Sequence, residues 1–231
     1  MSQGQDGAEQ RLVTPGAAIG PATGRRVGTG ALIQGDQIIA TRVGLVRERH
    51  GTVSVDPVAS TYMPRSGDLV IGTVVEARSN LWFLDINGPF QALLPMSLAP
   101  WKVEFGGTRD HADINDSLLM RVQEVDEVQN VVATMRGIGL RRLAEGAVLR
   151  VDVQHNDTLR AEGAALLKRL RDLSDCRIVL ADNGRMWVDG EGAGIDWLRS
   201  LCRDVAAAGR TDSLNSIVEH HAANAPNRGE A

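Results

Sequence analysis

The chain is poor in cysteine, lysine and aromatic residues, and each scarcity excludes a class of protein. Its 231 residues include two cysteines, Cys176 and Cys202, which are too few for a disulfide framework or a cysteine-based metal site. No apolar run reaches the ~18 residues that a membrane-spanning helix needs. The N-terminus also lacks the apolar segment of a secretory signal. We therefore expect a soluble, cytoplasmic protein.

The charge balance excludes a protein that coats nucleic acid through bulk positive charge. The formal net charge is −4, from 25 basic and 29 acidic residues, whereas such binders are strongly basic. Only Lys102 and Lys168 are lysines; the other basic residues are arginines. The planar guanidinium suits phosphate contact and stacking on bases, although genome composition alone also produces this bias.

The N-terminal part of the chain has the pattern of a small β domain. Residues 1–11 are polar and are predicted to be disordered. Within residues 12–64, β-type runs at 37–46 and 51–55 flank a turn at 47–51, which is a hairpin signature.

Two further domains follow. Residues 65–142 contain five β-type runs with one long insertion between the third and the fourth, which is typical of the OB fold, a five-stranded partly open barrel. Residues 143–222 follow the order β-α-β-β-α, with Asn183 and Gly184 in a tight hairpin turn. Residues 223–231 are predicted to be disordered. The expected class is therefore α+β and rich in strands.

Five motifs in this order resemble the archaeal-type exosome RNA-binding cap subunits of the S1/KH type. They are Gly28-Thr29-Gly30 with Gly35–Ile38 and Val43–Leu45 in the N-terminal domain, Gly67–Val74 in the first S1 strand, Trp82–Asn87 with Leu94–Ser97 in the S1 middle, Arg136–Arg141 at the S1-to-KH joint, and Asn183–Val188 in the KH segment.

The resemblance implies a function and a set of partners. In that family, three cap subunits sit on a hexameric ring of RNase-PH-like subunits, which degrades RNA from the 3′ end by phosphorolysis. The N-terminal domain docks on the ring and the S1 domains surround the pore that admits single-stranded RNA. The cap itself is not an enzyme and uses no cofactor.

The chain departs from the family pattern at the KH loop. KH domains clamp a single strand with a G-x-x-G loop, and here Arg160 stands at the first glycine, Gly163 at the second and Glu162 between them. A β-carbon at the first position hinders close backbone approach, but Arg160 is a candidate phosphate contact. Ala181 replaces the first glycine of the G-x-N-G segment, so Asn183 and Gly184 are interpreted as a structural hairpin.

The aromatic residues concentrate in the OB segment, where single-stranded RNA is held by stacking and positive charge. Trp82, Phe83, Phe90, Trp101 and Phe105 fall within residues 82–105. Strand alternation places Trp82 with apolar neighbours, which predicts a core position, and Phe83 on the face of Asp85, which favours RNA contact. Phe90 is a second candidate.

Local arginines supply the candidate phosphate contacts, because no domain is basic as a whole. Residues 65–142 and 143–231 each carry more acidic than basic residues. The candidates are Arg65, Arg78 and Arg109 in the OB segment and Arg136, Arg141 and Arg142 at the joint. Weak binding by each copy is then compensated by three copies around one pore.

Residue motifs typical of enzyme active sites are weak in this sequence. Asp110, His111, Asp113 and Asp116 are metal-type ligands in one irregular loop, where such residues usually form turns, so no metal site is predicted. We therefore expect a non-catalytic subunit that recruits single-stranded RNA. The alternatives are a mainly structural cap, a hydrolase that uses the loop at 110–116, and a free-standing S1/KH protein in translation.

Overall fold

The chain divides into two compact units, Met1–Ser60 and Thr61–Ala231. A computed structural model describes residues 11–49, 51–57, 61–102, 104–151, 163–208 and 214–227. Within those ranges, no helix is both long and apolar enough to cross a bilayer.

The first unit is built from short strands in two sheets. The strands are β1 (Leu12–Val13), β2 (Ala18–Pro21), β3 (Arg26–Val27), β4 (Ala31–Gln34), β5 (Gln37–Ala40), β6 (Gly44–Arg49) and β7 (Thr52–Pro57). One sheet has the order β1-β6-β7-β3 and the other β2-β5-β4. The run predicted as one strand at 37–46 is broken at 41–43, because β5 and β6 belong to different sheets. The hairpin is tighter than expected, since Arg49 pairs with Thr52.

The second unit begins with a closed five-stranded barrel, which confirms the predicted OB fold. Its strands are β8 (Leu69–Ala77), β9 (Leu81–Asp85), β10 (Gln91–Pro95), β11 (Ser117–Val125) and β12 (Val131–Thr134). Strand β12 closes the barrel because it pairs in parallel with β10 and antiparallel with β11. A further strand, β13 (Arg141–Leu143), pairs antiparallel with the first three residues of β11. The long insertion contains a 3₁₀ turn (Met96–Leu98) and a short helix, α1 (Thr108–His111).

Alternation along β9 and the residue after it places Trp82, Leu84 and Ile86 at 0% exposure, as predicted for Trp82. The phenol of Tyr62 also joins this barrel and donates to Asp68 at 2.8 Å. The barrel unit therefore begins a few residues before the predicted boundary at 65.

A small α+β domain follows the barrel. Its elements are β14 (Ala147–Arg150), α2 (Gly163–Ser174), β15 (Arg177–Leu180), β16 (Arg185–Asp189), α3 (Gly192–Ala208) and α4 (Leu214–Ala222). The antiparallel sheet has the order β14-β16-β15. The predicted order lacked α4, whose Leu214 and Val218 are buried with α3. Residues 223–227 also differ from the expected disorder, since Ala225 is 5% exposed and the Asn227 N–H donates to Leu173.

The sheet of this domain lies between its helices and the barrel. Alternate residues of β16, such as Met186 and Val188, pack with the helices. Trp187, on the opposite face, packs with Ile71 and Leu119 of the barrel. The barrel and the α+β domain therefore share a hydrophobic core.

Candidate nucleic-acid interface

One end of the barrel is built from loops that hydrogen-bond to one another. We call it the loop end; it comprises residues 78–80, 96–102, 104–116 and 135–140. The Arg78 carbonyl accepts from the Thr108 hydroxyl at 2.6 Å, and the Ser79 carbonyl accepts from the Gly106 N–H at 2.8 Å. The Leu98 carbonyl accepts from the Met135 N–H at 2.9 Å. These bonds make the loops one connected surface.

Aromatic contacts hold the long insertion against the barrel. The indole N–H of Trp82 donates to the Ala112 carbonyl at 2.8 Å. Trp101 meets Trp82 edge-on, with ring centroids 6.1 Å apart, and stacks on His111 at 5.5 Å. Two of the five clustered aromatic residues therefore serve to support the loop end.

Arg78 and Phe83, two of the predicted contact residues, lie together at the loop end. The Arg78 guanidinium sits over the Phe83 ring, 4.6 Å from its centroid. Register explains the contact, because Phe83 pairs with Glu76 two residues before Arg78. The Arg78 Nε also lies 2.7 Å from a carboxylate oxygen of Glu76. Both side chains are accessible, but each already has a protein partner.

Arg109 and Arg136 also lie at the loop end. Arg109, on α1, is exposed, and its Nε is 3.8 Å from a carboxylate oxygen of Asp113. Such an exposed pair contributes little to stability and is screened by salt. Arg136 follows β12 and is exposed, and no ion pair within the described residues involves it. These two guanidinium groups are the most available to a phosphate.

Arg141 and Arg142 make protein contacts at β13. Arg142 donates to the His111 carbonyl at 3.2 Å and to the Asp116 carboxylate at 2.9 Å. The Arg141 guanidinium lies 5.3 Å from the Trp187 ring centroid, and Arg141 also donates to the Gly139 carbonyl. Arg142 thus ties β13 to the long insertion.

Arg65 and Phe90 lie away from the loop end. Arg65 precedes β8 and Arg78 follows it, so these two arginines lie at opposite ends of that strand. Phe90 lies in the turn after β9, opposite the turn that carries Arg78, and it packs against the barrel core. Arg160 and Glu162 of the predicted KH loop lie outside the described residues, and Gly163 is the first residue of α2.

The Asn183-Gly184 hairpin joins the α+β domain to the barrel. The Asn183 side chain is 0% exposed; its Nδ2 donates to the carbonyls of Ile71 and Ile86, both at 2.8 Å, and its Oδ1 accepts from the Ile71 N–H at 3.3 Å. The preceding Asp182 exchanges hydrogen bonds with the Leu69 backbone. Gly184 has a φ of +69°, as the turn requires.

Arg185, which the sequence does not distinguish from surface arginines, is 4% exposed at the same junction. It donates to the Asp85 carboxylate at 2.5 Å and to the Asp85 carbonyl at 2.7 Å. Partial burial by itself raises the pKa of Asp85, but the Asn87 N–H and the Arg185 guanidinium outweigh it, so the pKa lies below its usual value. The only sequence signal for this pairing is the alternation that places Arg185 on the face of Trp187.

The carboxylates of the acidic loop at 110–116 accept hydrogen bonds from the backbone of the loop itself. The Asp116 carboxylate accepts from the Asp113 N–H at 2.8 Å, and the Asp113 carboxylate accepts from the Ile114 N–H. Asp113 and Asp116 also pair with arginines. Over the described ranges, no three His, Cys, Asp or Glu side chains group closely enough to hold a metal ion.

Comparison with known proteins identifies the family. The exosome complex component Rrp4 of Methanothermobacter thermautotrophicus is 33% identical over 219 residues, covering 91% of this chain and 68% of the relative. The chain belongs to the Rrp4 family of exosome complex components. The Rrp4 of Methanosarcina mazei is 27% identical over 216 residues, covering 92% of this chain and 83% of that protein.

A structural comparison supports the fold. A crystal structure assigned to an exosome complex RNA-binding protein matches with a TM-score of 0.62 and 22% identity, over 70% of this chain and 95% of that one. At this identity the match supports the fold alone. No protein-family model matches the chain.

Proposed function

We propose that this Rrp4-family chain is a non-catalytic cap subunit that binds single-stranded RNA and passes it to the active sites of an exosome ring. Similarity to Rrp4 proteins along most of the chain carries the proposal. Three copies would sit on a hexameric ring of RNase-PH-like subunits in the cytoplasm. Chemical activity would then reside in the ring.

The loop end is the proposed RNA surface. It combines the exposed Arg78, Arg109 and Arg136 with aromatic side chains, the combination that holds single strands without sequence preference. The neighbouring carboxylates of Glu76 and Asp113 weaken the positive electrostatic potential of these arginines. Each copy of the subunit should therefore bind RNA weakly. Three copies around one pore raise the effective concentration of binding sites.

A salt titration tests this proposal. We expect an unstructured RNA oligomer to bind the complex less tightly as salt rises, because phosphate contacts release counterions. Arg78→Ala and Arg109→Ala should each reduce the log–log slope by ~0.7, the value for one phosphate contact on a single strand. Arg199→Ala, which removes an arginine paired with Asp196 on α3, is the matched control and should leave the slope unchanged. Assembly with the ring should persist in all three variants.

A mainly structural cap is the second candidate. Its support is that Arg78, Arg141 and Arg142 already have protein partners and that the net charge is −4. RNA binding by the assembled complex that equals binding by a ring without this subunit would favour the structural cap.

A further inference from the structure

The chain contains eight aromatic residues, four Trp, three Phe and one Tyr, and all of them lie in the described ranges. Four are buried, and each donates a hydrogen bond within the protein from its hydroxyl or indole N–H. The donor–acceptor pairs are Tyr62 to Asp68, Trp82 to Ala112, Trp187 to Glu145 and Trp197 to His221. None of these four rings is available to a ligand.

Three more aromatic rings are partly buried and already packed. Trp101 lies between Trp82 and His111. Phe90 packs against the barrel core. Phe83, the residue that strand alternation favours for base stacking, is covered on one face by the Arg78 guanidinium. The sequence-based candidate is therefore not a free stacking platform.

Phe105 is the remaining aromatic residue, and its side chain is 79% exposed. It lies in a turn closed by a hydrogen bond from the Gly107 N–H to the Glu104 carbonyl at 2.9 Å. Gly106, with a φ of +90°, occupies the third position, where a type II turn requires a positive φ. The Gly106 N–H also donates to Ser79 at 2.8 Å. The turn is thus fixed to the barrel, and its phenyl ring is directed to solvent.

The surroundings of Phe105 suit a single strand of RNA. The residue that follows this turn, Thr108, bonds to the Arg78 carbonyl and begins α1, which carries Arg109. An exposed ring beside two exposed arginines provides a stacking surface for a base and positive charge for the flanking phosphates. Scattered exposed aliphatic residues are ordinary, but here the one aromatic ring left in solvent is held beside the arginines of the loop end.

We propose that Phe105 is the base-stacking residue of this subunit, binding an unpaired base of single-stranded RNA while Arg78 and Arg109 contact neighbouring phosphates. The inference rests on the proposed function and adds the class of contact, a nucleobase face. It transfers to Phe105 the role that strand alternation favours for Phe83.

Two probes separate stacking from charge. One is a 20-nucleotide oligoadenylate; the other is a tetrahydrofuran-phosphate oligomer of equal length, which carries the same backbone charge but no bases. We expect Phe105→Ala to weaken binding of oligoadenylate by about 5- to 150-fold, the effect of one lost base–aromatic stack. Binding of the base-free oligomer should not change. Phe105→Trp should retain binding, and Phe105→Leu should resemble the alanine variant, because leucine keeps the apolar contact but lacks a π face.

Val128→Ala is the matched control, because Val128 is an exposed apolar residue in the turn between β11 and β12, at the opposite end of the barrel from the loop end; this variant should bind both probes like the wild type. Equal oligoadenylate binding by the wild type and Phe105→Ala overturns the inference but leaves the proposed function intact. Equal weakening of both probes also overturns it, since the loss would not depend on bases. A wild type that binds neither probe in the assembled complex refutes the proposed function itself. Retained RNA binding with loss of ring association would instead make Phe105 a protein-docking residue.

Discussion

The junction between the barrel and the α+β domain depends on one buried amide, so the first prediction concerns Asn183→Ala. The substitution removes three hydrogen bonds between the Asn183 side chain and the backbone of Ile71 and Ile86. The Ile71 carbonyl keeps a donor, because Arg185 lies 3.2 Å from it. The Ile71 N–H and the Ile86 carbonyl lose their contact with Asn183.

The magnitude follows from burial. A neutral hydrogen bond contributes ~1 kcal/mol net, and a buried group left without a partner costs ~1–3 kcal/mol. With two such groups, we expect the free energy of unfolding of the second unit to fall by about 3 kcal/mol. That is roughly a hundredfold change in the unfolding equilibrium.

The assay is urea denaturation followed by tryptophan fluorescence, with linear extrapolation to water. All four tryptophans lie in the second unit, so the signal reports that unit. Native-state hydrogen exchange at the Ile71 amide provides a local readout, because that N–H should lose protection when its acceptor is removed.

Two comparisons separate hydrogen bonding from packing. Asn183→Leu keeps the branching of the asparagine side chain, with a somewhat larger volume and no polar atoms, and it should be destabilised at least as much as the alanine variant. Asn224→Ala, at an exposed asparagine, should change stability by no more than ~0.5 kcal/mol. A loss below ~1 kcal/mol in Asn183→Ala, or recovery in Asn183→Leu, would refute the hydrogen-bond argument.

Two further predictions concern backbone geometry and pH. Gly30→Ala should unfold the first unit, because a Cβ there would lie 2.5 Å from the Val55 carbonyl oxygen at a φ of +81°. Far-ultraviolet circular dichroism measures the loss of strand structure. The control Gly24→Ala, with a φ of +74° and open space around it, should lose far less stability. Burial by itself raises the pKa of Asp85. Its hydrogen bonds and the Arg185 guanidinium lower the pKa by more than burial raises it, so the net shift is a decrease. The stability from this depressed pKa is present above the unfolded pKa of ~3.9 and is lost as the pH falls through the folded value. Denaturation from pH 6 to 2 should show the stability difference between the wild type and Asp85→Asn shrinking with acidity, and a constant difference would contradict this pairing.

Local patterns predicted the barrel because strand alternation is a property of short segments. The burial of Trp82 and Leu84 in β9 follows directly from that alternation. The same logic failed at 41–43, where the chain passes from one sheet to another although the β-branched Thr41 and Val43 favour a continuous strand. It also missed α4, because a short apolar run does not reveal whether a neighbouring helix is there to cover it.

The amino-acid sequence alone determined the α+β class, the barrel, the hairpin at Asn183 and the family resemblance, since these depend on periodicity and on the order of local motifs. Which side chains remain available to a ligand depends on the folded arrangement of loops and strands, and no sequence pattern reveals it. Arg78 covers Phe83 and Arg185 is buried at the domain junction, while Phe105 stands exposed on a turn fixed to the barrel. A side chain is available only when no distant part of the chain covers it, and sequence spacing does not specify those distant partners.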